Sequence, residues 1–144
     1  MSDIKYEKSC GAIVFTRIND EIKYLLVKQQ AGFYSFPKGH AENNETEIET
    51  ALREINEETG LNPKILDGFK VSDEYPLPDK ENTIKQVVYF LAEYQDNQDQ
   101  KLVAQEDEII KIDLLTYEEA FKIFNWDSQR SILKAANNFL LSNH

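Results

Sequence analysis

The sequence predicts an α/β fold in which a mixed β-sheet carries helices on both faces. Short apolar segments typical of buried strands are interspersed with segments of helical periodicity. The predicted elements follow the order β-β-α-β-β-β-α-α, which favours a layered arrangement. The 144 residues, 41% of them hydrophobic and 29% charged, are enough for a substantial core. We therefore expect residues 1–144 to form one domain.

The first two strands form a predicted hairpin. Ser9–Thr16 and Lys23–Lys28 are apolar runs, and Asn19-Asp20 between them is typical of a turn. Gln29–Gly39 mixes aromatic residues, two glycines and a proline, which indicates a shaped loop. Cys10, the one cysteine, lies in the first apolar run, so we expect a buried thiol rather than a nucleophile.

A helix is predicted over residues 44–59. Asn44 is a favourable N-cap, and Glu47 follows at the spacing of a capping box. Gly60 is a typical residue to end the helix. One apolar stripe follows the i, i+3, i+4, i+7 pattern and comprises Ile48, Ala51, Leu52 and Ile55.

Three further strands are predicted after this helix. Lys64–Val71 and Lys85–Tyr94 flank a polar loop that holds Pro76 and Pro78. Glu108–Leu115 is the third candidate. These segments would complete the mixed sheet.

Two helices close the sequence. Thr116 and Glu119 form a second capping-box pattern, which predicts a short helix to about Phe124. Trp126–Leu141 is amphipathic, with an inward face predicted to contain Leu133, Ala136 and Leu140.

Acidic side chains are concentrated in residues 39–61, which carry seven of them and one base, Arg53. Carboxylates this dense repel each other unless a positive group lies among them, which favours a divalent cation and phosphate chemistry. Three acids stand at i, i+3, i+4 and so share one helix face: Glu54, Glu57 and Glu58. A solvated acidic face is the alternative, and we expect it for Glu42, Glu47 and Glu49.

Oxygen ligands of this kind suit Mg²⁺, for which Mn²⁺ can substitute. Zinc is disfavoured, because Cys10, His40 and His144 lie far apart without ligand spacing.

The overall charge restricts the partners. A formal net charge of −10 disfavours nucleic acid and anionic membranes, and a polyphosphate substrate would need local basic residues. The sequence starts without an apolar signal segment, and no run approaches the length of a membrane span. We therefore expect a cytoplasmic monomer that binds a small molecule.

The acidic segment resembles the Nudix box. Every defined position of that pattern is matched, as Gly39-x5-Glu45-x7-Arg53-Glu54-Ile55-x-Glu57-Glu58-x-Gly60-Leu61. The resemblance implies an α/β/α sandwich and Mg²⁺-dependent hydrolysis of a nucleoside diphosphate linked to another moiety. It also implies that Glu57 and Glu58 bind metal and that Glu54 binds metal or acts as the general base. Arg53 would pair with Glu45, and Gly39 would permit a tight turn and offer its carbonyl to the metal.

Residues just before the box narrow the resemblance. Phe36-Pro37-Lys38-Gly39-His40, with Lys85 and Tyr89 in a Lys-x-x-x-Tyr pattern, is similar to the asymmetric diadenosine tetraphosphate (Ap4A) hydrolases, also named bis(5′-nucleosyl)-tetraphosphatases. That subfamily implies cleavage of Ap4A to ATP and AMP.

The resemblance also nominates residues that contact substrate. Lys38 and Lys85 are candidate phosphate contacts or solvated lysines, and His40 is a phosphate contact, a proton donor or a plain loop histidine. Tyr89 would stack on adenine or lie in the core. Glu106 resembles a late glutamate that approaches the metals from another loop; a solvated acid is the alternative. Further stacking candidates are Tyr34, Phe33 and Tyr75.

Other functions stay open at this point. Pro76 lies fifteen residues after Leu61, a spacing associated with ADP-ribose-type Nudix enzymes. A nucleoside triphosphate, a capped RNA or a diphosphoinositol are further substrates. A sensor that binds nucleotide without cleaving it is the remaining possibility, although such proteins usually lack one of the box glutamates.

Overall fold

A computed structural model describes residues 3–95 and 109–142 of the chain. Within those residues it contains one eight-stranded sheet and three helices. The strands are β1 (Lys5–Ile18), β2 (Glu21–Gln29), β3 (Tyr34–Ser35), β4 (Lys38–His40), β5 (Lys64–Ile65), β6 (Val71–Pro76), β7 (Thr83–Glu93) and β8 (Ile109–Leu115). The helices are α1 (Glu47–Thr59), α2 (Tyr117–Ile123) and α3 (Asp127–Ser142).

The sheet is mixed, as predicted. Its main path runs β3-β2-β1-β7-β5, while β4 pairs with β1, β6 with β7 and β8 with β2. The long strands β1 and β7 are parallel, and the other pairings are antiparallel. The parallel pair brings the start of the chain beside residues from its second half.

Two apolar cores lie on opposite faces of the sheet. Along β1, Ile13 and Phe15 belong to one core, and Ala12 and Val14 to the other, because successive side chains of a strand point to opposite faces. The first core also contains residues of α2 and α3, and the second contains residues of α1. The predicted α/β/α layering is therefore confirmed.

Helix α1 starts later than predicted. Its N-cap is Thr46, which forms the capping box with Glu49; the prediction of Asn44 with Glu47 was wrong. Asn44 instead adopts a left-handed conformation with φ of 70°, in the turn before the helix. Ile48 is 41% exposed rather than buried with the predicted stripe. Gly60, also left-handed, ends the helix as predicted.

Two predicted segments between helices are also corrected. Gln29–Gly39 is not only a loop, because it contains β3 and the start of β4. Lys64–Val71 is not one strand: Gly68 has a φ of 93°, which interrupts the extended backbone between β5 and β6. Pro76, predicted in a loop, is the last residue of β6.

The C-terminal predictions are confirmed. Thr116 and Glu119 form the second capping box, at the start of α2. The predicted inward residues of α3 are buried: Leu133, Ala136 and Leu140.

The prediction of a buried thiol is also confirmed. Cys10 in β1 is fully buried, and this burial raises the pKa of its thiol. None of the helices described is long and apolar enough to cross a membrane.

Candidate active site

The candidate site forms where strand β4 meets helix α1. Gly39 in β4 pairs with Cys10 of β1, and the carboxyl group of Glu54 lies directly against its Cα. A Cβ at this position would overlap that carboxyl group. Gly39 does not have a positive φ, so it is needed for this close approach and not for the tight turn that the resemblance implied.

Arg53 is the centre of an acidic cluster. Its guanidinium pairs with Glu42, Glu45, Glu54 and Glu57, and Glu58, one turn after Glu54 on the same helix face, completes the cluster. It donates to both carboxylate oxygens of Glu45, at 2.6 Å from Nε and 3.1 Å from Nη2. Its Nη1 donates to Glu54 at 3.0 Å and to Glu57 at 3.1 Å, and its Nη2 donates to the carbonyl of His40 at 2.9 Å. The expected pair with Glu45 is present, and Arg53 joins the loop, the strand and the helix.

Glu45 is held more firmly than a surface carboxylate. Besides Arg53, it accepts hydrogen bonds from the Thr50 hydroxyl at 2.9 Å and from the Glu42 backbone N–H at 3.0 Å. These donors, Arg53 above all, lower the pKa of Glu45 to about 2.

The three helical glutamates differ in exposure. The side chain of Glu57 is 45% exposed and that of Glu54 only 13% exposed, while Glu58 is buried. Glu58 accepts a hydrogen bond from the Lys38 backbone N–H at 3.0 Å. Burial raises the pKa of Glu54, and the neighbouring Glu57 adds to that effect, whereas Arg53 opposes it.

No three acidic, histidine or cysteine side chains converge into a ready metal site among residues 3–95 and 109–142. The carboxylates of Glu54 and Glu57 turn towards Arg53, and a Glu58 oxygen turns towards Lys38. A cation would have to draw these carboxylates away from their present partners. The carboxylate oxygens are the donors that a hard divalent cation prefers. Glu54 is largely buried and burial destabilises its charged form, so a cation beside it would stabilise that form.

A basic cluster of Lys38, His40 and Lys85 borders the acidic cluster. Lys85 is only 7% exposed, and its Nζ lies 2.9 Å from His40 Nε2. Burial lowers the pKa of Lys85, and the charge of Lys38 lowers it further. Burial also lowers the pKa of Lys38, although Glu58 and Glu54 act in the opposite direction. Partly desolvated ammonium groups of this kind suit the binding of an anion.

Two of the three nominated tyrosines, Tyr89 and Tyr34, are buried. Tyr89 lies in the core on the α2/α3 face, and its ring makes an edge contact with Phe36 at 5.5 Å. Tyr34 is buried in the same core, and its hydroxyl donates to Asp113 at 2.7 Å. Burial favours the core alternative for Tyr89 and makes stacking less accessible to Tyr34, and stacking of either ring on adenine stays a prediction.

The other stacking candidates are more accessible. The ring of Phe33 is partly buried and makes an edge contact with Trp126 at 5.2 Å. Tyr75 is partly exposed on β6. Glu106 and His144 lie outside the described residues.

Sequence reasoning missed two charged residues beside the basic cluster, Glu7 and Lys80. They form an ion pair with a 2.5 Å separation, and Glu7 aligns with Lys85 in the parallel pairing of β1 and β7. No local pattern indicates this pairing. It follows from strand register, which brings together residues far apart in the sequence.

Comparisons with known proteins agree with this architecture. A family model described as the NUDIX domain matches residues 7–136. The Mus musculus protein named bis(5′-nucleosyl)-tetraphosphatase (asymmetrical) is 32% identical over 146 residues, covering 94% of this chain and 96% of the mouse protein. The ADP-ribose pyrophosphatase of Bacillus subtilis (strain 168) is 34% identical over 121 residues, covering 81% of this chain and 63% of that protein. A solved binary complex of C. elegans Ap4A hydrolase has the same fold, with a TM-score of 0.83 at 24% identity over 94% of this chain and 98% of that chain.

Proposed function

The chain belongs to the NUDIX family, and we propose that it acts as an asymmetrical dinucleoside tetraphosphate hydrolase that cleaves Ap4A to ATP and AMP. It is a Nudix hydrolase, and homologues at about 30% identity over almost the whole length are named bis(5′-nucleosyl)-tetraphosphatase (asymmetrical). This near full-length similarity is the observation that carries the proposal. The proposed enzyme is a single domain over residues 1–144.

Nudix hydrolases generally use divalent metal ions, and we expect Mg²⁺ here, with Mn²⁺ able to substitute. The proposed ligands are the carboxylates of Glu54, Glu57 and Glu58, the carbonyl of Gly39, and Glu106. When bound, the cation would stabilise charge on the phosphoryl oxygens and make a water molecule more acidic.

The acidic cluster would organise the reaction from the protein side. Arg53 holds Glu54 and Glu57 at about 3 Å from its guanidinium, so it would position these carboxylates beside β4. Glu54 or Glu106 would accept a proton from the attacking water. A largely buried carboxylate with a raised pKa, such as Glu54, is a better proton acceptor than a solvated one.

The basic cluster would hold the polyphosphate. Lys38 and Lys85 would contact phosphate oxygens and offset the negative charge that builds up as one P–O bond forms and another breaks. His40 is exposed and could deliver the proton that the departing phosphate requires. The water oxygen would end on one product, and the bridging oxygen on the other.

Product analysis tests this proposal. The full chain is incubated with Ap4A and Mg²⁺ in ¹⁸O-labelled water, and the products are separated by ion-exchange chromatography and weighed by mass spectrometry. We expect equal amounts of ATP and AMP, with the label in only one of them, and no reaction in EDTA. Two molecules of ADP, or turnover of other nucleotides only, would contradict the proposal.

ADP-ribose hydrolysis is the second candidate. The Bacillus subtilis relative supports it, together with Pro76 at the spacing noted above. The same assay with ADP-ribose, nucleoside triphosphates and capped RNA ranks the candidates by kcat/KM. Nucleotide binding without any turnover would instead indicate a sensor.

A further inference from the structure

Glu7 lies between Lys80 and the basic cluster. One carboxylate oxygen accepts a hydrogen bond from Lys80 Nζ at 2.5 Å, and the other lies 3.7 Å from His40 Nε2. The parallel register of β1 and β7 places Glu7 beside Lys85. The carboxylate is therefore next to Lys85, a proposed phosphate contact, and to His40, the proposed proton donor to the departing phosphate.

The charges around Lys85 make this carboxylate important. Lys38 and Lys80 repel the Lys85 ammonium, whereas Glu7 attracts it. The hydrogen bond from Lys80 lowers the pKa of Glu7, so the carboxylate stays charged at neutral pH. With its side chain 28% exposed, Glu7 is also close enough to solvent to interact with an arriving anion.

We propose that Glu7 determines substrate specificity as a built-in anion with which substrate phosphate competes for His40 and Lys85. Lys80 would set the strength of that competition, because it neutralises much of the Glu7 charge. A long polyphosphate would overcome the repulsion through its additional contacts, while a short diphosphate would be disfavoured. This inference rests on the proposed function only in taking the basic cluster as the phosphate site.

The two partners of the ion pair should then affect binding in opposite directions. Glu7→Gln removes the competing charge, and we expect the KM for the best nucleotide substrate to fall about 5-fold, the effect of one charge interaction over roughly 4 Å in a water-like medium. Lys80→Met leaves Glu7 without this partner, and we expect KM to rise by a similar factor. The double variant should return close to wild type. Both single-variant shifts should shrink in 0.5 M NaCl, because salt screens partly exposed charges.

A matched control exists on the same two strands. Arg17 of β1 and Glu93 of β7 form an ion pair at 3.7 Å, roughly 30 Å from Glu7 along the strand. Arg17→Met and Glu93→Gln should leave both KM and kcat unchanged. The dissociation constant for inorganic tripolyphosphate, measured by titration calorimetry in the same Mg²⁺ buffer, should follow the KM shifts of the Glu7 and Lys80 variants.

Several outcomes would overturn the inference. KM shifts of the same sign for both variants, or lowered melting temperatures with unchanged KM, would make the pair purely structural. If the wild-type chain does not bind tripolyphosphate, the basic cluster is not a phosphate site and the inference fails. If a different nucleotide replaces Ap4A as the best substrate, the proposed function fails, yet opposite KM shifts for that nucleotide still support the role of Glu7.

Discussion

The acidic and basic clusters lie side by side at β4, but they are assembled in different ways. The acidic cluster comes from one helix and the turn before it, within residues 42–58. The basic cluster combines β4 with β7, and the nearby Glu7 adds β1. Local sequence, the helix with its preceding turn, therefore places the first cluster, while strand register places the second. Substitution of the exposed Glu57 in the first should alter chemistry with little effect on the fold, whereas the buried Lys85 of the second lies on β7 among core residues.

The largest expected effect is on the acidic side. Glu57→Gln removes a proposed metal ligand that is exposed and lies among other carboxylates. We expect kcat to fall roughly 10²–10³-fold, the size typical of a lost electrostatic contribution. The melting temperature should change little, because the relief of repulsion among the carboxylates offsets the weakened contact with Arg53. Kinetics and thermal unfolding check both statements, with Glu118→Gln on exposed α2 as control; unchanged kcat would refute the metal role.

Alanine substitutions at Gly39 and Gly11 separate an effect on activity from an effect on stability. A Cβ on Gly39 would overlap the flexible Glu54 side chain, while a Cβ on Gly11 would overlap the backbone carbonyl of Pro37. We expect Gly39→Ala to fold but lose activity at least 10-fold, because Glu54 must move. Gly11→Ala should instead be destabilised by at least about 1–3 kcal/mol, since backbone cannot move aside as a side chain can. Urea unfolding and kcat measurements test the pair, and equal stability losses would contradict the distinction.

Tyr89 lies on β7, the strand that carries Lys85 of the basic cluster. The Tyr89→Ala variant tests whether this tyrosine belongs to the core or to the site. The ring is buried against Phe36, so we expect a loss of about 3–5 kcal/mol in the free energy of unfolding. Tyr89→Phe keeps the ring and should stay close to wild type in stability. A raised KM with unchanged stability in the alanine variant would assign the ring to base stacking.

The smallest expected effect concerns the acid stability that Glu45 provides. Its pKa in the folded protein, about 2, lies below the ordinary value, so its stabilising contribution is present above that ordinary value and is lost as the pH falls towards 2. The difference in urea midpoint between wild type and Glu45→Gln should therefore be largest at pH 7 and shrink steadily between pH 5 and pH 2.5. A difference that is independent of pH would show that the carboxylate charge does not matter.

Several site features could be predicted because they depend on local geometry. The shared face of Glu54, Glu57 and Glu58 follows from helical spacing, and the Arg53–Glu45 pair follows from the box pattern. The N-cap could not be chosen in this way. Asn44 and Thr46 are both good caps followed by a glutamate three residues on, and the positive φ of Asn44 excludes it only in the folded turn.

Other features needed the three-dimensional structure. The reason for Gly39 became clear only when β4 lay against α1, and the burial of Tyr34 and Tyr89 only when α2 and α3 covered the sheet. Lys64–Val71 has the composition of a strand, but the left-handed Gly68 divides it.

Residue order along one helix was enough to predict a row of carboxylates suited to a cation, since neighbours at i, i+3 and i+4 meet whatever the rest of the chain does. The resemblance to the Nudix box added the expectation of hydrolysis. The charged neighbours of Lys85 could not be predicted in that way. Glu7 meets Lys85 because β1 and β7 pair in parallel at one register, and that register depends on burying two apolar faces at once. Long-range packing therefore determines which charges surround Lys85.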